Sequence, residues 1–380
     1  MGKIAVLFET EPNHGGEHQY AVLLAECLLK NTEFIAICGN RFWTGWCREH
    51  KVRYVKKNWI DYDMKDMERW IKYPRLSKIV YGFLSPLGIF LRQERIKLLI
   101  IAQHGSVFPQ CYCNIMYPVH DLMHRYFRRF PEFDNKENIF RELLFRNVAQ
   151  SASVVLVDSV LGREQFIKAY SEYMRDFTKV YPLPYVAPPH VWETQEQYIA
   201  TPERYIFYPA QFWMHKNHLN LIKAVELVRD KLPDIHLILV GSEKNYVGKI
   251  KRYINEHNLQ AQVTIIGFVK NEQIIYLYRH AVAMFMPSYF GPTNIPPLEA
   301  MALGCPVAVS NNFAMGEQVG NAGLLFDPDS PEEIAECIYA VWSDEAKRQQ
   351  MIQEGYNQTN LWNRQKFEER FMKIVRELCG

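Results

Sequence analysis

The fold of this chain is decided by the stretch Ser288-Tyr289-Phe290-Gly291-Pro292-Thr293-Asn294-Ile295-Pro296-Pro297-Leu298-Glu299-Ala300-Met301. It follows an apolar, strand-like run and precedes a helix pattern of small residues, so it predicts a turn at the carboxyl end of a strand. Open α/β sheets bind their ligands at such ends. Pro296 and Pro297 are compatible with the first turn of a helix, where a missing backbone N–H has no cost.

The start of this predicted helix has two features of a nucleotide site. The N–H groups of Thr293, Asn294 and Ile295 are expected to point out of its positive end, which favours phosphate. Glu299 falls about one turn inside the helix, where a carboxylate accepts hydrogen bonds from a polyol but repels phosphate. The ribose of a nucleotide fits this arrangement. An ordinary strand-to-helix turn with one surface glutamate is the alternative.

Length and composition indicate a globular protein of two domains. A chain of 380 residues exceeds the size at which one hydrophobic core keeps growing. Its 48% apolar and 23% charged content are ordinary for a soluble protein. No window has the run of about 18 uncharged apolar residues that a membrane span needs. The first residues lead straight into a strand pattern rather than a signal peptide, so a cytoplasmic location is expected.

Apolar strand patterns alternate with helix-length segments, which indicates βαβ units and parallel sheets. A proline cluster at 184–189 separates two predicted Rossmann-like halves, because a sheet interior does not accept such a cluster. The first sheet is predicted from Ile4–Phe8, Phe34–Cys38, Leu98–Ala102, Ile115–Val119, Val154–Val157 and Val180–Leu183. The second is predicted from Tyr205–Tyr208, His236–Val240, Val263–Ile266, Ala281–Met286, Pro306–Ser310 and Gly323–Phe326.

The stretch quoted first resembles the nucleotide-sugar signature of the retaining glycosyltransferases of the GT-B fold, family four. The resemblance implies an α/β fold with two Rossmann-like domains whose parallel sheets face a cleft. It implies an acceptor-side domain 1–185, a linker 186–203, a nucleotide-sugar-binding domain 204–362 and a helix 363–380 that returns to the first domain. A helix packed on its own domain is the alternative for 363–380. Members commonly carry two glutamates separated by seven residues; Glu299 matches the second, and Gly291 stands where the first is expected.

Other residues match the donor site of that family. By resemblance, the glycine pair after the first strand lies beside the diphosphate, and Gly267 to Val269 lie near the nucleobase. Lys216 matches a lysine that clamps the diphosphate, whereas Gln211 stands where an arginine is usual. The complete predicted donor site is Gly15, Gly16, Gln211, Lys216, Gly241, Gly267, Phe268, Val269, Gly291, Thr293, Asn294, Ile295 and Glu299.

The predicted catalytic residues are His120, Asp121 and Lys216, and the resemblance places His120 over the donor sugar. His120 and His124 stand four residues apart, a spacing that on a helix could ligate a metal ion. No third ligand clusters with them, and the resemblance implies none is needed. Asp61-Tyr62-Asp63 and Asp327-Pro328-Asp329 superficially resemble a metal-binding DxD motif, but neither follows an apolar strand. We therefore expect no metal and no other cofactor.

Positive charge is concentrated in the first half of the chain. Residues 1–190 carry 26 basic and 20 acidic residues, and residues 48–97 carry 13 and 6. In the latter range the bases alternate with aromatic residues, which favours a helix lying on an anionic membrane. A solvated helix face with a buried stripe is the alternative. Nucleic-acid binding is not expected, since no recognition motif accompanies an overall charge of +2.

The sequence therefore predicts a retaining glycosyltransferase. Its expected partners are a nucleoside-diphosphate sugar as donor and an acceptor that is a saccharide or a lipid-linked saccharide, in the synthesis of a surface polysaccharide of the O-antigen or capsule type. The expected place is the inner face of the cytoplasmic membrane. Two alternatives stay open, namely a nucleotide-sugar epimerase or hydrolase of the same fold and a non-catalytic nucleotide-sugar-binding protein. The missing glutamate at Gly291 and the glutamine at Gln211 prompt the second alternative.

Overall fold

A computed structural model describes residues 2–57, 59, 62–108, 110–132, 134–291 and 293–380. The chain divides into two compact units. Unit 1 is Met1–Pro184 with Gln365–Gly380, and unit 2 is Tyr185–Arg364. Across the described ranges, no helix is both long enough and apolar enough to span a lipid bilayer.

Unit 1 contains, in its described residues, a parallel sheet of seven strands in the order β3-β2-β1-β4-β5-β6-β7. This is a doubly wound order whose direction reverses between β1 and β4. Helices cover both faces of such a sheet, so its strands read as continuous apolar runs. The strands are β1 Lys3–Phe8, β2 Ile35–Cys38, β3 Tyr54–Lys56, β4 Ile96–Ile101, β5 Asn114–Val119, β6 Val154–Val157 and β7 Lys179–Pro182.

The first eight helices belong to unit 1. They are α1 Gly16–Asn31, α2 Arg41–Glu49, α3 Met64–Lys72, α4 Pro74–Leu84, α5 Pro86–Gln93, α6 Met123–Tyr126, α7 Asn135–Ser151 and α8 Val160–Tyr170. The basic, aromatic stretch is thus not one helix, because Pro74 and Pro86 each start a new helix and end the one before.

Unit 2 contains, in the residues described, a parallel sheet of six strands in the order β10-β9-β8-β11-β12-β13. This repeats the doubly wound order, with the reversal between β8 and β11. The strands are β8 Ile206–Pro209, β9 Leu237–Val240, β10 Val263–Gly267, β11 Ala283–Met286, β12 Val307–Ser310 and β13 Gly323–Phe326. The helices are α9 His190–Glu193, α10 His218–Val228, α11 Val247–Glu256, α12 Asn271–His280, α13 Ile295–Ala302, α14 Met315–Val319, α15 Pro331–Ser343 and α16 Glu345–Leu361.

The last helix, α17 Arg364–Cys379, packs within unit 1. Its apolar stripe includes Phe367 and Phe371, both fully buried, and the Phe367 ring lies 6.1 Å from the ring of Tyr20 on α1. At its end, the Leu378 carbonyl accepts a hydrogen bond from Asn114 at 2.7 Å. The helix is therefore part of the unit formed by the first half of the chain.

All twelve predicted strands are present, with ends displaced by no more than two residues. The strand patterns do not predict β3, which has only three residues and ends in Lys56. Such a short edge strand leaves no run of apolar residues long enough to be recognised. The two Rossmann-like halves are otherwise those that the strand patterns predict.

Candidate functional site

The predicted donor residues of unit 2 follow its strands at the carboxyl edge, around the point where the strand order reverses. Gln211 and Lys216 come after β8, and the stretch from Ser288 to Ile295 comes after β11. Since β8 and β11 are neighbours on either side of that reversal, the two loops flank the place where doubly wound sheets bind ligands.

The loop after β11 depends on the glycine at its centre. Gly291 has φ of +91°, and a Cβ at this position would overlap the side-chain amide of Asn294. That amide donates to the carbonyls of Phe290 and Gly291 at 3.3 and 3.2 Å. The turn itself therefore requires glycine at position 291, where the resembling family usually has a glutamate. Pro292 lies outside the described residues.

The helix after this loop, α13, begins at Ile295 with Pro296 in its first turn, as predicted. The expectation that the Asn294 N–H is available to phosphate is wrong, because it donates to Oε1 of Gln318 at 2.9 Å. The Gln318 side chain donates back to the Asn294 carbonyl at 2.7 Å. Gln318 thus fixes the helix start from α14. For Thr293 and Ile295 the phosphate contact stays a prediction.

Glu299 is buried, and both of its carboxylate oxygens have partners. Oε2 accepts a hydrogen bond from the Tyr278 hydroxyl at 2.8 Å, and Oε1 lies 3.2 Å from Nε2 of His190. Tyr278 and His190 were not identified from the sequence, since one lies in a helix pattern and the other in the predicted linker. Each oxygen retains a second lone pair, so the carboxylate can still accept hydrogen bonds from a ligand.

Lys216 ends a short 3₁₀ turn, Met214–Lys216, after β8. Burial lowers the pKa of Lys216 to about 8. In the described part of the chain its ammonium has no carboxylate partner within ion-pair distance. The preceding Gln211 accepts a hydrogen bond from the indole of Trp213 at 2.8 Å, so its side chain is oriented within the same loop. A desolvated cation in a ligand-binding loop attracts an anionic ligand strongly.

The remaining donor residues of unit 2 follow β9 and β10. Gly241 passes so close to the carbonyl of Ala210 that a Cβ would collide with it. Gly267 has φ of +85° and open space where a Cβ would be, and Phe268 beside it is 79% exposed. Val269 is buried. An exposed aromatic ring next to a bare backbone can stack on a planar base.

In unit 1, the loop after β1 places Gly15 and Gly16 at the start of α1. Gly15 has φ of +61°, a conformation that favours glycine, and a Cβ there would meet no atom within 4 Å. Gly16 is the first residue of α1. The loop therefore leaves room for a ligand next to the helix start.

His120 follows β5 and forms a buried pair with Asp158. Its Nδ1 lies 2.9 Å from Oδ1 of Asp158. Burial alone would lower the pKa of His120, but the Asp158 carboxylate, with a smaller contribution from Glu17, raises it above the ordinary value. The ring also packs edge-on against Tyr20. His120 is thus a histidine held in one orientation and biased towards its charged form.

The Asp121 carboxylate is bound by neighbouring protein groups. Its Oδ1 accepts from Arg141 at 2.8 Å and from the Met123 N–H at 2.9 Å. Burial would raise the pKa of Asp121, but the Arg141 guanidinium holds it well below the ordinary value. Arg141 also contacts His104, and burial holds the pKa of His104 well below its usual range. Asp121 therefore positions the turn into α6, which argues against the predicted catalytic role.

Glu17, in the first turn of α1, is a candidate that the sequence reading did not select. Burial raises its pKa above the ordinary value, although His120 opposes the shift. Glu17 lines a cavity of about 450 Å³ together with Glu9, His14 and His104. Glu9 is in turn contacted by Lys57 and Gln103. The cavity therefore has several hydrogen-bonding groups suited to a polyhydroxylated ligand.

The candidate metal motifs are dispersed in the structure. His120 lies before α6, which begins at Met123, so His120 and His124 do not share a helix. Asp63 accepts from the Asp66 N–H and caps α3, and Asp327 accepts from the Asp329 N–H. Asp61 lies outside the described residues. Within the described ranges no group of three or more His, Cys, Asp or Glu side chains could hold a metal ion.

Comparison with known proteins finds a family match in the second half of the chain. Residues 192–358 match the sequence family described as Glycosyl transferases group 1. The matched region contains the loop after β8, the loop after β11 and Glu299. His190, which contacts Glu299, lies just before the matched region.

Two curated proteins that this chain resembles are bacterial. O-antigen chain mannosyltransferase B of Escherichia coli is 26% identical over 230 residues, covering 58% of this chain and 59% of the relative. O-antigen chain mannosyltransferase RfbU of Salmonella typhimurium is 25% identical over 259 residues, covering 68% of this chain and 69% of the relative. The alignment thus spans about three fifths of the first relative's length.

A solved structure resembles this chain over nearly its whole length. The crystal structure of Anabaena HepE in complex with UDP aligns with a TM-score of 0.70 and 16% identity, covering 99% of this chain and 100% of HepE. This likeness shows that the chain has the GT-B fold.

Proposed function

We propose that the protein transfers a sugar from a nucleoside-diphosphate sugar to a saccharide acceptor, with retention of configuration at the transferred sugar. The observation that carries this proposal is Glu299, a buried carboxylate contacted by Tyr278 and His190 one turn inside α13. A carboxylate fixed in this way is preorganised to accept hydrogen bonds from the two ribose hydroxyls. Phe268 and the bare backbone at Gly267 would contact the base.

The leaving group of this reaction is a nucleoside diphosphate, and its departure requires positive charge. Lys216 supplies a cation on one loop, and the N-terminal end of α13 supplies a partial positive charge on the neighbouring loop. Both are fixed before the reaction, which is the arrangement that stabilises developing charge best. We therefore propose that transfer needs no divalent metal.

The reaction can be balanced without a nucleophile from the protein. The acceptor hydroxyl oxygen forms a bond to the anomeric carbon while the bond from that carbon to the diphosphate oxygen breaks. If both occur on one face of the sugar, configuration is retained, and the departing phosphate oxygen takes the proton of the acceptor hydroxyl. This route requires no carboxylate nucleophile, which agrees with the glycine at position 291.

Unit 1 supplies the groups proposed to bind sugar hydroxyls. His120 and Asp158 form a rigid pair that can donate to a hydroxyl. The cavity with Glu9, Glu17 and His104 offers further partners for a saccharide acceptor. Carboxylates and histidines together can both accept from and donate to sugar hydroxyls.

The relatives support the choice of substrates. The Escherichia coli and Salmonella typhimurium proteins are named as O-antigen chain mannosyltransferases, and HepE was solved with UDP. We infer a nucleotide-sugar donor and an acceptor belonging to a lipid-linked surface polysaccharide. Such an acceptor brings the protein to a membrane surface.

We propose that α4 and its neighbours make a peripheral contact with anionic lipid. Leu76, Ile79 and Leu84 of α4 are 60, 54 and 72% exposed, and one base, Lys78, lies among them in sequence. Exposed apolar side chains with cations favour an interfacial position. Lys57 does not belong to this surface, because its ammonium is paired with Glu9 and its side chain is only 11% exposed.

A ligand panel followed by a transfer assay tests the proposed function. Binding of a nucleoside diphosphate should raise the melting temperature, since a ligand of the folded state adds RT ln(1 + [L]/Kd) to stability. Donor turnover should then require a saccharide acceptor. Rapid donor turnover without an acceptor would indicate an epimerase or hydrolase instead. Nucleotide binding without transfer to any polysaccharide acceptor would indicate a binding protein.

A further inference from the structure

A second pocket in unit 1 lies at the amino ends of the strands, away from the residues described above. Its volume is about 640 Å³, and its described lining includes Ile96 and Asn114, the first residues of β4 and β5. His120, by contrast, follows the end of β5. The six residues of that strand, at about 3.3 Å each, place the two edges about 20 Å apart. The pocket is therefore separate from the candidate functional site.

The described lining of this pocket carries only positive charge. Its basic side chains are Lys78, Arg92, Arg95, Lys97 and Arg175, and none of the described lining residues is acidic. We call this cavity the basic pocket. Glu94 is adjacent to Arg95 in sequence but is bound in bidentate fashion by Arg53 at 2.6 and 2.9 Å. Converging like charges repel one another, so an anion in the basic pocket would be stabilised.

The contacts of three of these cations orient them without neutralising them. The Arg92 guanidinium donates to the Phe83 carbonyl at 2.7 Å and lies 4.4 Å from the centroid of the Phe83 ring. The Lys78 ammonium lies 5.2 Å from the Tyr112 ring. Arg175 donates to the side chain of Gln110 at 3.4 Å. Carbonyl oxygens and aromatic rings leave the formal charge of each cation available to a ligand.

The basic pocket borders the exposed apolar side of α4. Lys78 belongs to α4, and Phe83 of the same helix contacts both Arg92 and Tyr112, which line the pocket. Leu76 and Leu84 of α4 are among the most exposed large apolar residues described. A phospholipid offers the matching pair of features, an anionic phosphate next to apolar chains.

We propose that the basic pocket binds the phosphate of an anionic phospholipid head group while exposed apolar side chains of α4 enter the adjacent lipid interface. A free phosphate compound offers the same oxygens to the five cations but leaves α4 in water. This inference rests on the membrane contact in the proposed function. It does not rest on sugar transfer, because the pocket lies at the other edge of the sheet.

The double variant Arg95→Gln/Lys97→Gln tests the proposal. Its matched control is Arg128→Gln/Lys136→Gln, which removes two exposed bases of unit 1 that do not line the basic pocket. Sedimentation should use phosphatidylcholine vesicles with and without phosphatidylglycerol. We expect phosphatidylglycerol-dependent binding to weaken roughly tenfold in the pocket variant and to stay unchanged in the control, since basic residues contribute individually to such binding. Equal binding by both variants would overturn the proposal.

Three further measurements identify the source of the phosphate, test the role of α4 and guard against misfolding. Titration with inorganic phosphate and glycerol phosphate shows whether the pocket prefers a free compound; pocket-dependent binding of these without any vesicle binding would overturn the lipid assignment. Leu76→Ser/Leu84→Ser should weaken vesicle binding without affecting phosphate binding. Nucleotide binding should be unchanged in every variant. A loss of transfer with vesicle binding intact would contradict the proposed function but not this inference.

Discussion

Nε2 of His190 lies 3.2 Å from Oε1 of Glu299. His190 belongs to the segment 186–203 that the sequence predicts as a linker, yet it contacts the carboxylate predicted to bind ribose. With Tyr278 on the other oxygen, the carboxylate has partners on both sides before a ligand arrives. Such preorganisation lowers the ordering cost of binding, so part of the nucleotide affinity depends on the predicted linker.

Glu299→Gln should weaken nucleoside-diphosphate binding by about 1.5–3 kcal/mol, the usual range for hydrogen bonds to a charged group. The matched control is Glu226→Gln. Glu226 of α10 also contacts a tyrosine and a histidine, Tyr253 of α11 at 2.6 Å and His257, which directly follows α11, at 2.8 Å. Calorimetric titration of both variants provides the comparison. Unchanged nucleotide affinity in Glu299→Gln would contradict the assignment.

Lys216 should make nucleotide binding depend on pH. Because burial lowers its pKa to about 8, the ammonium is lost as the pH rises through that value. Affinity for a nucleoside diphosphate should then fall by up to about tenfold per pH unit above about pH 8. Lys216→Arg should remove this dependence, since arginine stays charged. The same pH slope in the arginine variant would show that another group titrates.

Asp158→Asn should lower the pKa of His120, because the carboxylate favours the imidazolium form. Titration of the histidine ring signals by NMR measures this directly. Glu142→Gln is the control, since Glu142 contacts His124 instead at 3.1 Å. An unchanged pKa of His120 in Asp158→Asn would mean that the His120–Asp158 pair does not set its charge state. Turnover should fall with little change in free nucleotide affinity.

Sugar transfer should continue in excess EDTA, because Lys216 and the start of α13 are proposed to supply the positive charge. The assay compares rates with EDTA alone and with EDTA followed by excess Mn²⁺ or Mg²⁺. Lys216→Ala should slow transfer under every condition. Activity lost on chelation and restored by either ion would overturn the metal-free proposal.

Much of the fold could be predicted from the sequence, because parallel strands that are buried on both faces consist of uninterrupted runs of apolar residues. Residues that favour particular turns are also visible in a sequence, so the prolines at 296 and 297 predict where α13 begins. At Gly291 the sequence indicates a turn and a missing glutamate, but not the backbone conformation of that turn. Its packing against Asn294 requires backbone angles that the residue names alone do not give.

The contacts that complete the candidate site join residues distant in sequence. Gln318 is 24 residues from the Asn294 N–H that it occupies, and Asp158 is 38 residues from His120. No periodicity or motif links such pairs. Glu17 cannot be recognised as a site residue from the sequence, because only its burial beside His120 distinguishes it from other first-turn glutamates.

The placement of α17 also constrains how the chain folds during synthesis. A ribosome that has made residues 1–184 has produced every strand of the first sheet but not the helix that covers Tyr20. Unit 2 can be completed earlier, because its residues are continuous in the chain. The nascent protein therefore exposes apolar surface on its first half until α17 emerges. That interval is when chaperone binding or aggregation should be strongest.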